Sequence, residues 1–131
     1  MAKFLVLAYY DPQAFDALTA DARKAIVGQC PPHDAALRDT GRLLTLASLG
    51  EIRASVSVRP RGGKPTVTDG PFMETKEQIG SFFMIEAADM ADAVRVASLH
   101  PAAQLGEQVG WGLEIRPVRY CVEKTGEITR T

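Results

Sequence analysis

The run Lys3-Phe4-Leu5-Val6-Leu7-Ala8-Tyr9-Tyr10 decides how this chain folds. It predicts a strand over 3–10 that is apolar on both sides. Phe4, Val6, Ala8 and Tyr10 alternate onto one face, and Leu5, Leu7 and Tyr9 onto the other. Ile79-Gly80-Ser81-Phe82-Phe83-Met84-Ile85-Glu86-Ala87 repeats the pattern, with Ile79, Phe83 and Ile85 on one face and Phe82 and Met84 on the other. Two such strands in one sheet need cover on both sides.

Working outward, residues 13–29 are expected to be helical, since Phe15, Leu18, Ala22, Ala25 and Ile26 share a side at helical spacing. Pro31-Pro32 breaks that helix. A second helical piece is expected from Pro32, its first helical residue, to Gly41, a natural C-terminal cap. Strands are expected at 43–49, 52–58 and 65–68, with a solvated hairpin tip through Arg59–Lys64 around Gly62-Gly63. Residues 89–99 form a helix capped by Asp89, with Met90, Ala93, Val94 and Ala97 on one face. A last strand spans 112–121, and Pro117 marks it as an edge or bulged strand.

The resulting order is β-α-β-β-β-β-α-β. Without the 52–68 hairpin it is β-α-β-β-α-β, the ferredoxin-like unit: an α+β fold whose antiparallel sheet carries its helices on one face. Two helices leave the second apolar face bare. The sheet of a second copy is the simplest cover, so a homodimer packed face to face is expected.

At 131 residues the chain is read as one domain, 1–131. Its 46% hydrophobic and 24% charged residues are those of an ordinary soluble globular protein. Fifteen basic against sixteen acidic residues leave a net charge of −1, which argues against nucleic-acid binding. No apolar run approaches 18 residues, so no membrane span is expected. The basic-then-apolar start reads as a buried strand, not a signal peptide. Cys30 and Cys121 lack paired spacing and are read as free thiols, with a cytoplasmic location as the default. No metal-ligand spacing, phosphate loop or nucleophile elbow is present, so neither metal nor cofactor is expected.

One short run stands apart: Val67-Thr68-Asp69-Gly70-Pro71-Phe72, then Glu74-Thr75-Lys76-Glu77-Gln78. Asp before Gly is turn chemistry, and Gly escapes the crowding that proline imposes on the residue before it. A rigid kink is expected, with a carboxylate at its lip and Phe72 pinned below as an apolar anchor. Together with the Lys3–Leu7 strand, the His33…Gly41 helix end, His100-Pro101-Ala102-Ala103 and Leu113-Glu114-Ile115-Arg116-Pro117-Val118, this run resembles the DGPF-type YCII-related proteins over nearly the whole chain. The resemblance implies a dimeric α+β barrel. It implies less about activity. In the wider group a His and an Asp near a cleft have been suggested as a catalytic pair, and one related activity removes halide from an aromatic ring. Some members are linked with sigma-type transcription factors, which implies a non-catalytic interaction or regulatory module as the alternative.

His33 matches the family's histidine after the first helical segment. Near a helix N-terminus its imidazole would stay neutral and act as a base, or else simply bond local backbone. Asp69 is expected either to orient His33 or to cap its own turn. These two are the catalytic candidates of a proton-transfer or elimination site in an apolar cleft that takes a small organic ligand. Tyr9, Phe72, Glu74, Lys76 and His100 are candidates to line it. For His100, ahead of Pro101, a cap on the preceding helix end is the plainer reading.

Overall fold

The strand expected from the opening run forms and sets the two faces of a sheet. The computed structural model describes residues 1–130. In chain order, β1 (Ala2–Tyr10) is followed by α1 (Pro12–Asp16), α2 (Ala20–Val27), α3 (Cys30–Asp39) and β2 (Leu43–Ser48). A 3-10 turn at Ile52–Ala54 leads into the hairpin of β3 (Val56–Arg61) and β4 (Lys64–Asp69). Then come β5 (Gln78–Ala87), α4 (Met90–Ala97), 3-10 turns at Pro101–Ala103 and Glu107–Val109, and β6 (Gly112–Pro117). β7 (Tyr120–Val122) and β8 (Ile128–Arg130) close the chain as a hairpin.

The chain is a mixed α+β structure built on antiparallel sheets. The main sheet has the order β2-β5-β1-β6, and every neighbouring pair is antiparallel. Phe4, Val6, Phe83 and Ile85 point to one side and are buried against Leu37 of α3 and Ala93, Val96 and Ala97 of α4. On the other side Leu5 lies opposite Met84 and Leu7 opposite Phe82, all four half-buried. Lys3, on that side, reaches the β7–β8 hairpin, with Nζ 2.7 Å from Glu123 Oε1.

Several boundaries differ from the sequence reading. The helix expected over 13–29 is two pieces, because Thr19 turns out of the helical region and its Oγ1 caps α2 by accepting from the Ala22 N–H at 3.1 Å. α3 begins at Cys30, not Pro32, so both prolines sit in its first turn, where a missing N–H costs little. Gly41 follows α3 with φ +70°, a backbone that suits glycine. Residues 52–54 are a 3-10 turn instead of strand. The strand expected over 112–121 stops at Pro117, on the sheet edge, and resumes in a separate hairpin. Asp89 caps α4 as expected, accepting from the Asp92 N–H at 2.8 Å, a cap of about 1 kcal/mol.

The kink at Gly70 is present, with φ +103°. It is held by the Gly70 N–H donating to Ser55 O and by Ser57 Oγ donating to Gly70 O, not by the Asp69 side chain. Phe72 is not an anchor pinned below the kink. It is 59% exposed and covered by the Arg59 guanidinium, 3.8 Å from the ring centroid, which also donates to Phe72 O. None of residues 71–77 is buried.

Candidate functional site

Where β1 ends and β5 begins, the helix-bearing side of the sheet opens into a cavity of about 740 Å³. That is within the size range of small-molecule sites. Tyr10, Gly80 and Ser81 form its strand side, Leu43 and Leu46 of β2 one wall, and Trp111 and Pro101 another. α3 supplies Cys30, Asp34 and Arg38, spaced four residues apart and so on one stripe. Neighbouring Leu37 turns into the core.

Two glycines shape this cavity. A Cβ on Gly80 would fall 2.9 Å from the Tyr10 ring, so glycine lets that ring lie against β5. The Tyr10 ring then meets Phe15 edge-on, with centroids 6.2 Å apart. Gly106, at φ +72°, passes so close to the Trp111 indole that no side chain fits between them.

His100 is the buried polar group of the site, at 8% exposure. Its imidazole stacks on Phe83, with centroids 4.8 Å apart and planes 13° from parallel. Its Nδ1 accepts the Ala102 N–H at 3.0 Å. A nitrogen that accepts an N–H carries no proton, so the neutral ring holds its proton on Nε2. Nε2 has no protein partner among the described residues, and no fully buried side-chain nitrogen or oxygen there lacks one. Nε2 is therefore the edge of the ring that opens on the cavity. Burial lowers the pKa of His100, opposed by the nearby Asp34 carboxylate. The Ala102 contact acts in the same direction as burial, because an imidazolium would face N–H to N–H.

The remaining polar groups are free to meet a ligand. Asp34, Arg38, Tyr10 and Ser81 make no side-chain hydrogen bond or ion pair within the protein among the described residues. Burial, then Asp16 and Glu51, raise the Tyr10 phenol, which keeps it a donor. Burial, then Asp34, raise the Cys30 thiol, whose Sγ is 3.6 Å from Ile26 O. The cavity thus offers a buried committed donor, His100 Nε2–H, one free carboxylate, Asp34, and the exposed Arg38 guanidinium, in aromatic surroundings.

The residues singled out from sequence are distributed unevenly about it. Tyr9 and His100 border the cavity. His100 does not cap the preceding helix as a cation. It starts the Pro101–Ala103 turn as a buried acceptor. His33 is half-buried on α3 but does not line the cavity, and Asp69 is exposed at the end of β4. No hydrogen bond joins His33 and Asp69 among the described residues. Phe72 borders a second hollow of about 630 Å³ beneath the β3–β4 hairpin, which Tyr9 also touches. Glu74 and Lys76 are exposed and border neither. Asp34 is not among the candidates that the sequence singled out. Its four-residue spacing to Cys30 and Arg38 was the available signal.

Comparison with known proteins bears on the whole of this scaffold. Residues 2–118 match the family model described as the YCII-related domain. The chain is also 27% identical, over 125 residues, to an uncharacterised protein of Rhizobium meliloti (strain 1021), an alignment covering 95% of this chain and 97% of that protein.

Proposed function

The chain belongs to the YCII-related family, and from that premise we propose that its cavity binds a small organic molecule between His100 and Asp34. The observation that carries this reading is the buried His100 ring, fixed by Phe83 and Ala102 with Nε2–H left for a ligand. Nε2–H is open to the cavity, so a ligand acceptor replaces water there, a net gain of about 0.5–1.5 kcal/mol. The chemistry such a pair supports is proton transfer. An O–H or C–H bond of the ligand breaks, the proton goes to an Asp34 oxygen, and the electron pair moves to the ligand oxygen facing Nε2–H. His100 is the polarising donor in this scheme and Asp34 the base.

A thermal-shift screen with small phenols, amides and acids tests the reading. A ligand at 100 times its Kd stabilises by about 2.7 kcal/mol. Hits are expected that are lost in His100→Phe, which keeps a ring on Phe83, and in Asp34→Asn, but kept in His33→Ala. Loss in His33→Ala alone would return the site to His33 and its suggested partner Asp69.

We also propose the ferredoxin-like β-α-β-β-α-β unit, with β3–β4 inserted, as the architecture, and a homodimer of the α+β barrel type. The strand order β2-β5-β1-β6 supports the first, and the half-buried Leu5, Leu7, Phe82 and Met84 on the helix-free face support the second. A non-catalytic interaction module is the second reading. It is favoured by the β3–β4 hairpin, whose Val56, Val58 and Val67 are all more than half exposed. No hit across the screen would favour it.

A further inference from the structure

The polar groups of the cavity also bear on the charge of its ligand, an inference that rests on the binding reading above. His100 is more than nine-tenths buried and presents only a donor, because its one lone pair is engaged by the Ala102 N–H. Asp34 presents only acceptors and has no partner within the protein among the described residues. We propose that the cavity selects an uncharged, ring-bearing molecule that offers an acceptor, such as a carbonyl oxygen, to His100 Nε2–H and an N–H or O–H donor to Asp34.

The two charged alternatives each satisfy one partner and offend the other. An anion accepts from Nε2–H but brings its charge toward the Asp34 carboxylate, and like charges repel. A cation suits Asp34 but meets a ring edge with no lone pair to give it, and leaves Nε2–H unpaired. An uncharged amide or hydroxy-carbonyl compound satisfies both. Arg38 does not reverse this preference, since it is exposed, and water and salt weaken its field. Tyr10, held over Gly80, and Trp111, held over Gly106, supply aromatic surfaces for a flat ring.

Benzamide, benzoate and benzamidinium share one shape and differ in charge, so they separate the possibilities. Each is titrated into the full-length ¹⁵N-labelled protein, following the backbone signals of Asp34, Ala102 and Trp111 in ¹H–¹⁵N spectra. Benzamide is expected to bind at least tenfold more tightly than either charged probe. Asp34→Asn is expected to weaken benzamide several-fold and to tighten benzoate, a change of opposite sign that a merely structural role for Asp34 would not produce. Benzoate binding tightest and lost in Arg38→Gln, or benzamidinium binding tightest, would overturn the proposed selectivity while leaving small-molecule binding intact. No saturable shift with any probe at millimolar concentration would overturn both.

Discussion

The imidazole of His100 lies nearly parallel to the ring of Phe83, with centroids 4.8 Å apart. Phe83 is fully buried in the middle of β5, so the histidine rests on a side chain of the sheet's core. Stacking of this kind contributes about 0.5–1.5 kcal/mol beyond area burial. The Ala102 N–H then fixes the rotation of the imidazole. A binding group held by both core and backbone is already organised before any ligand arrives.

Stability is expected to fall with acid through His100. Its folded pKa lies below the ordinary value of 6.5. Between that depressed value and 6.5 the unfolded chain binds the proton and the folded chain does not, so stability rises with pH across that window and flattens above it. Urea unfolding between pH 5 and 7.5 measures the effect. His100→Phe is expected to show a smaller slope over the window, and His100→Ala to lose about 2–4 kcal/mol at pH 7 through the lost packing and turn cap.

Asp92 titrates in the opposite sense and lower down. The Ala88 N–H and then the Arg42 guanidinium, 2.8 Å away, hold its pKa at about 2, against 3.8 ordinarily. Its contribution is fully present above pH 4 and is lost as the pH falls through 2. Asp92→Asn is expected to lower the melting temperature at pH 7 and to leave less further loss between pH 4 and 2, measured by circular dichroism melts.

Gly106→Ala is expected to disturb the cavity without touching its polar groups. The new Cβ must displace Trp111 and adopt a φ that alanine resists, a combined loss of at least about 1 kcal/mol. Trp111 is the sole tryptophan of the chain. A shift in its fluorescence maximum, with weaker binding of any screen hit, is the expected result.

These sites were unequally legible in the sequence. The two central strands were plain, because Phe4, Val6, Phe83 and Ile85 alternate with equally apolar neighbours. The break at Thr19 was hidden, because Leu18 and Ala22 continue the helical spacing across a residue that caps a new helix. Phe72 looked like an anchor because it is large and apolar, and only the path of the chain after Pro71 leaves it outside. The cavity itself draws on residues 8–10, 15, 30–38, 43–49, 80–81 and 100–111. No local pattern joins those segments. His100 read as a helix-end cation because His-Pro ends helices, and its stack on Phe83 arises from tertiary packing alone.

The helix-free face gives a separate expectation. If Leu5, Leu7, Phe82 and Met84 meet the same face of a second copy, sedimentation will report twice the 14.2 kDa chain mass. Leu7→Glu is expected to yield a monomer that keeps its circular dichroism spectrum. A stable dimer interface buries about 800 Å² per partner, and a monomer at micromolar concentration would argue against this face as a contact.

The most direct measurement is the protonation state of the His100 ring. Long-range ¹H–¹⁵N spectra of the imidazole distinguish a protonated nitrogen from a bare one. Nε2–H with bare Nδ1 is expected at pH 7 to 8, with a change in the Nε2 signal when a cavity ligand is added. An Nδ1–H tautomer, or an imidazolium at pH 7, would contradict it.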